Sequence, residues 1–136
     1  MPNRWEVPGG AVDLEDETIL HGVAREVWEE SGLKVTAIGP QVGTAEGKTE
    51  GYVFTRRGLK FCRFTFEAEV ENTEAVRVDP NEHQKLVWAT EEECRSHRVV
   101  GNAEGEVVEI EFTTEAQEGT VLEGFRLRKQ AKSEGP

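Results

Sequence analysis

The chain has 136 residues, 36% of them hydrophobic and 32% charged, with a formal net charge of −11. That length and balance describe one globular domain able to bury a core, and they exclude a disordered segment. The acidity disfavours groove-binding to DNA or RNA and binding to anionic membranes, while a small phosphorylated ligand screened by a divalent cation stays open.

In chain order, Trp5-Glu6-Val7 is a short strand-like piece that ends in the turn signal Pro8-Gly9-Gly10. Residues 16–31 read as a helix, because Ile19, Leu20, Val23, Ala24 and Val27 form one apolar stripe at three- and four-residue spacing. Asp16 and Glu17 suit its N-terminus through the helix dipole, and Gly32 is the expected stop. Residues 33–44 are strand-like in part. Residues 46–57 read as a turn, and residues 59–70 as one alternating strand. Leu86-Val87-Trp88-Ala89 reads as a short strand. Thr90 with Glu93, and Thr114 with Gln117, are capping-box pairs that open two further helices. The second would bury Val121, Leu122 and Phe125, although Gly119 and Gly124 weaken it. The pattern predicts an α/β fold with helices on a mixed sheet, one domain over residues 1–128, and a polar tail over 129–136 that frays.

Cys62 and Cys94 are too few for a disulfide framework and lack metal-ligand spacing. Cys62 is expected in the core and Cys94 as an ordinary thiol, which points to a reducing, cytoplasmic location. No apolar run approaches the roughly 18 residues of a membrane span, and residues 1–5 lack a signal-peptide pattern. Trp5, Trp28 and Trp88 are expected in the core, and His21 and His97 on the surface.

Chemistry concentrates in Arg25-Glu26-Val27-Trp28-Glu29-Glu30-Ser31-Gly32-Leu33. At about 100° per residue, Glu30 lies about +40° and Glu29 about −60° from Glu26, so the three carboxylates share an arc of roughly 100°. Such like charges repel, and they lie towards the helix C-terminus, where the dipole disfavours anions. A solvated acidic face is the plain explanation. A bound hard cation such as Mg²⁺ or Mn²⁺, which prefers carboxylate and carbonyl oxygens, is the functional one. An EF-hand over residues 13–17 is excluded for want of a glycine at the sixth loop position, and there is neither a Walker A loop nor an HExxH motif.

The stretch resembles the Nudix box, G-x5-E-x7-R-E-U-x-E-E-x-G-U with U aliphatic. Arg25, Glu26, Val27, Glu29, Glu30, Gly32 and Leu33 fill its second half. Counting back over seven intervening residues from Arg25 puts Glu17 in the earlier glutamate slot and Ala11 in the glycine slot, one residue past Gly10. Counting forward from Gly10 instead puts Asp16 in the acidic slot. Glu17 is preferred here because spacing within a helix is rigid and loop length is not.

The resemblance implies an α/β/α sandwich with a mixed sheet and an Mg²⁺-dependent (or Mn²⁺-dependent) hydrolase of a nucleoside-diphosphate-linked compound. Glu26, Glu29 and Glu30 would hold the metal, and Glu17 would shape the site or bind a further ion. A backbone carbonyl near Gly9 or Gly10 would complete the coordination, and Arg25 would orient a glutamate by an ion pair. Glu29 would be the base, with Glu82 or His83 as alternatives on the loop over 79–84. The partner would be a small nucleotide derivative, not a nucleic acid polymer and not a membrane. Only seven residues precede Pro8, whereas the family has at least one core strand there, so a shortened chain with an open sheet edge is expected. That edge favours a homodimer. The alternatives to catalysis are an inactive shortened form, a non-catalytic metal- or nucleotide-binding domain on the same scaffold, and an acidic α/β domain whose glutamates are only solvated.

Overall fold

The computed structural model describes residues 4–46, 51–77, 85–100 and 106–134. Its elements in order are α1 (Ile19–Ser31), β1 (Val35–Val42), β2 (Tyr52–Arg56), β3 (Leu59–Arg63), β4 (Thr65–Val70), α2 (Glu91–Ser96), β5 (Arg98–Val100), β6 (Val107–Glu109) and α3 (Glu115–Glu134). This is the mixed helix-and-strand architecture expected of a Nudix α/β/α fold. Among the described residues the strands pair two by two, β1 with β4, β2 with β3 and β5 with β6. The chain forms two compact units. One takes in residues up to Val7, Gln41–Thr65 and those from Ala89 onwards; the other takes in Pro8–Pro40 and Phe66–Trp88.

The second unit carries α1. This helix starts at Ile19, later than the apolar pattern suggested, because the Thr18 side chain accepts a hydrogen bond from the His21 N–H and caps it. Asp16 and Glu17 therefore precede the helix instead of opening it. The stop at Gly32 is as expected: its φ of 74° is left-handed, and its N–H reaches the Trp28 carbonyl. The Arg77 N–H then satisfies the Ser31 carbonyl at 2.7 Å. Leu33 is buried behind this end, while Ile19 and Leu20 are each 44% exposed, so only the later part of the stripe is sheltered. In the paired strands, Glu71 donates to the Lys34 carbonyl and the Thr36 hydroxyl to the Glu69 carbonyl, so β1 and β4 run in opposite directions.

The first unit holds the remaining sheltered apolar residues, Val42, Cys94, Val99 and Ile110. Thr90 and Glu93 form the expected capping box on α2. On α3 the Thr114 hydroxyl caps the Gln117 N–H, but the Gln117 side chain accepts from the Val7 N–H instead of closing the box. Trp5 bridges to Phe112, which ties the N-terminal segment into this unit. Gly119 is a contact rather than a weak point, since a Cβ there would strike the Thr44 carbonyl.

Several expectations are corrected. Residues 59–70 are two strands that break at Phe64, because β3 pairs with β2 and β4 with β1. Residues 52–56 form β2 rather than part of a turn, and β2 joins β3 through Arg57-Gly58, with φ of 52° and 78°. Residues 86–89 pair with no described strand and are irregular. The stretch from Lys129 stays helical to Glu134, helped by Arg126 bonding to Glu123 and Gln130 at helical spacing. Cys62 is exposed and Cys94 buried. Trp28 and Trp88 are exposed at 51% and 59%, not in the core. The strands β5 and β6, three residues each, were not anticipated.

Candidate functional site

The turn at Pro8-Gly9-Gly10 and helix α1 lie in the same unit and meet through backbone and carboxylate. The Gly9 N–H donates to Glu30 Oε2 at 2.9 Å. The Gly10 α-carbon lies so close to Glu26 that a Cβ would sit 2.6 Å from its Cδ. Only a residue without a side chain lets that carboxylate rest against the turn.

The loop that follows folds back on itself. The Asp16 N–H donates to the Asp13 carbonyl at 3.1 Å, and Asp16 Oδ2 accepts from the Asp13 N–H at 2.8 Å. This turn drives the Asp16 side chain inwards, where it is 1% exposed and packed against Gly22. A carboxylate so sheltered needs a partner, and Arg25 supplies it with a two-point grip: Nε to Oδ1 at 2.9 Å and Nη2 to Oδ2 at 3.0 Å.

Arg25 does more than pair with Asp16. Its Nη2 also donates to the Ala11 carbonyl at 3.0 Å and lies 3.1 Å from Glu26 Oε1. Its Nη1 donates to Glu29 Oε2 at 3.1 Å and lies 3.4 Å from Asp13 Oδ2. One guanidinium thus ties the loop carbonyl and four carboxylates to α1. The hydrogen bonds from Arg25 hold the Asp16 carboxyl below the usual carboxylate range, helped by the Asp13 backbone. Reciprocally, Asp16 first and Glu29 next push the Arg25 guanidinium up.

The structure therefore brings together Arg25, Glu26, Glu29, Glu30 and Gly10. Glu17 does not join them: it is exposed ahead of the helix, and its N–H donates to His21 Nδ1 at 3.2 Å. The argument from rigid helical spacing does not reach residue 17, which is outside the helix, and Asp16 takes the place beside Arg25. Asp13 and the Ala11 carbonyl were not anticipated; counting forward from Gly10, which selects Asp16, was the signal that pointed to this loop. Glu82 and His83 lie outside the described residues. At the far end of α1 the Arg77 guanidinium sits 5.5 Å above the Trp28 ring.

Among the described residues no three acidic, histidine or cysteine side chains converge closely enough to hold a metal ion as they stand. Arg25 explains this, since it draws Glu29 and Glu26 to itself as a cation would. The donor chemistry nonetheless suits a hard divalent ion. Glu26, Glu29 and Glu30 offer only carboxylate oxygens, and the side-chain-free Gly10 forms a cradle for one of them.

A family model, the NUDIX domain, matches residues 1–109, and the chain belongs to that family. Three curated relatives are similar to parts of it. A "MutT-like protein" of Streptomyces ambofaciens is 49% identical over 49 residues, covering 36% of this chain and 30% of the relative. The "m7GpppN-mRNA hydrolase NUDT17" of Homo sapiens is 31% identical over 103 residues, 65% of this chain and 30% of the relative. The protein of the same name from Bos taurus is 56% identical over 34 residues, 25% and 11% respectively. The chain thus spans less than a third of the length of each of these relatives. No solved structure matches it. No helix among the described residues is long and apolar enough to cross a membrane.

Proposed function

We propose that the chain is a divalent-metal-dependent hydrolase of a nucleoside-diphosphate-linked or related pyrophosphate compound. The observation that carries this reading is the Arg25 guanidinium, which ties the Ala11 carbonyl, Asp16, Glu26 and Glu29 to one face of α1 beside the Gly-Gly turn. A surface of merely solvated glutamates would need no such organisation.

In this reading Glu26, Glu29 and Glu30 hold Mg²⁺ or Mn²⁺ with a carbonyl of the Gly9-Gly10 turn, and Glu17 stays a candidate for a further ion. When bound, such an ion neutralises pyrophosphate oxygens and lowers the pKa of a coordinated water. Arg25 orients Glu29 through its Oε2. Glu29 is the candidate base, because its side chain is 53% exposed and reaches solvent. Its carboxylate takes the proton of the attacking water as the bond to the leaving phosphate breaks. Glu30, fixed to the Gly9 N–H, keeps the turn against the helix.

The names of the relatives support a substrate with a phosphoanhydride bond, and a methylguanosine-capped dinucleotide belongs among the compounds to try. The site's reactants are small nucleotide derivatives in a cytoplasmic setting, a location consistent with two cysteines that form no disulfide. Association as a homodimer, which equilibrium sedimentation tests, remains part of the proposal. The deciding experiment is turnover of a panel of nucleoside-diphosphate compounds with Mg²⁺ or Mn²⁺. Glu29→Gln is expected to lower the rate by about 10²–10⁴-fold with the fold intact, and Glu30→Gln to abolish metal-dependent activity. If no compound turns over but the metal raises the melting temperature, the domain binds without catalysis. If the metal does neither, the glutamates are a solvated face.

A further inference from the structure

The β2–β3 hairpin has a character opposite to that of the rest of the chain. Residues 51–66 contain no Asp or Glu and carry Arg56, Arg57, Lys60 and Arg63, in a chain with 27 Asp and Glu and only 16 Lys and Arg. Among the described residues none of these four makes an ion pair, whereas Arg4, Arg25, Arg95, Arg126 and Lys129 all do.

The register places Tyr52 opposite Arg63, Phe54 opposite Phe61 and Arg56 opposite Leu59, so these six residues share one face of the ribbon. Tyr52 and Phe54 stack with centroids 6.0 Å apart, Phe54 and Phe61 at 5.5 Å, all nearly parallel. The Arg63 guanidinium lies over the Phe54 ring at 5.0 Å. Phe61 ends this row and is 39% exposed, and Leu59 beside it is 64% exposed. Arg56 continues the same face towards the tip, where Arg57 occupies the turn.

We propose that this hairpin face is a docking surface for single-stranded nucleic acid, with a base stacking on Phe61 at the end of the ring row and phosphates meeting Arg56 on the same face and Arg57 in the turn. Charge complementarity and the ring row argue for this occupant together. An acidic peptide would satisfy the cations but offer nothing to the rings, whereas a single strand brings planar rings and phosphates at regular spacing. The net charge of −11 does not prevent it. At physiological salt, exposed charges are screened beyond about 8 Å, so a contacting strand meets the local cations rather than the average of the chain.

The test is fluorescence anisotropy of a labelled oligouridylate of about twelve nucleotides with the whole chain. Working in EDTA excludes metal-dependent turnover, so the result is independent of the hydrolase reading. Saturable binding is expected, weakening with salt at a log–log slope of about −1.4 for two phosphates. The double variant Arg56→Glu, Arg57→Glu should weaken binding at least about tenfold. Phe61→Leu, which keeps apolar bulk but removes the ring, should weaken it about tenfold with an unchanged melting curve. If the double variant melts early, Phe61→Leu decides alone. The proposal is overturned if the oligonucleotide does not bind, if hairpin variants bind as the parent does, or if polyglutamate competes as strongly as unlabelled oligouridylate.

Discussion

The turn-and-helix region around Arg25 and the β2–β3 hairpin solve opposite electrostatic problems. Around Arg25 a single cation serves Asp13, Asp16, Glu26, Glu29 and the Ala11 carbonyl. On the hairpin, Arg56, Arg57, Lys60 and Arg63 have no carboxylate partner among the described residues. The first arrangement is closed: its charges hold each other, and replacing any member should disturb the others. The second is open towards its tip, where Arg56, Arg57, Leu59, Lys60 and Phe61 are exposed. A net charge averaged over the chain hides both, because neither the crowding of acids at one arginine nor the absence of acids from one hairpin appears in the sum.

The closed region should respond most to substitution. Arg25→Lys keeps the charge but loses the fork that grips both Asp16 oxygens and reaches Ala11 and Glu29. Turnover is expected to fall by about 10–100-fold, as for partners that orient metal ligands, and initial rates with a thermal melt would show it. Parental behaviour of this variant would mean that the cluster is not a unit. Gly10→Ala is a milder probe. The φ at Gly10 is not in the left-handed region, so alanine suits the backbone, and the added Cβ meets only the movable end of Glu26. Calorimetric affinity for Mn²⁺ should fall about tenfold with little change in melting temperature. Equal loss of both would place Glu26 in the packing rather than in a binding site.

The same contrast shows what the sequence could convey. The second half of the box, Arg25 to Leu33, was legible because a helix fixes the relative positions of its residues, and Gly32 marks its end by a backbone conformation few other residues adopt. The loop before it was not. The eight-residue step back from Arg25 is a helical distance only if the helix extends to Glu17, and the Thr18 cap ends it sooner. Which acid folds inwards is then set by the Asp13–Asp16 turn, which the count cannot see. The hairpin was obscured for a different reason. Alternation continues unbroken through Phe64, so a single strand and two strands with different partners look alike. The turn at Arg57-Gly58 lacks the asparagine or aspartate that usually announces it.

Acid should separate the two regions further. Asp16 has its folded pKa lowered by Arg25, so its contribution to stability is complete above its unfolded value of about 3.9 and is lost as pH falls through the folded value. Glu91 behaves in the same sense, held down by Lys129 and then Arg95, and so does Glu93 through the Thr90 backbone. The melting temperature should therefore be flat from neutral pH to about 5 and drop below about 4. Asp16→Asn should melt lower at neutral pH and approach the parent in acid. Residues 51–66 contain no carboxylate, so substitutions there should leave the acid limb in place. A parallel fall for parent and Asp16→Asn would remove Asp16 from the account of acid lability.

The smallest effect is expected at the hairpin tip, and it separates shape from charge. Arg57 has a φ of 52° and precedes Gly58 at 78°, which is the backbone of a two-residue turn that favours asparagine at its first position. In this conformation the Cβ of any L-residue crowds the following carbonyl, and after glycine asparagine tolerates it best, because its short polar side chain hydrogen-bonds the local backbone. Arg57→Asn should therefore stabilise the chain by up to about 1 kcal/mol, read as a higher urea midpoint with an unchanged slope. Arginine at this position is then a cost to the fold that only its charge offsets. If Arg57→Asn gains stability and also loses affinity for oligouridylate, the tip keeps an unfavourable residue for the sake of contact with an anion. If it gains stability and binds as before, the open charge at the tip has no part in docking, and Phe61 with Arg56 must account for binding alone.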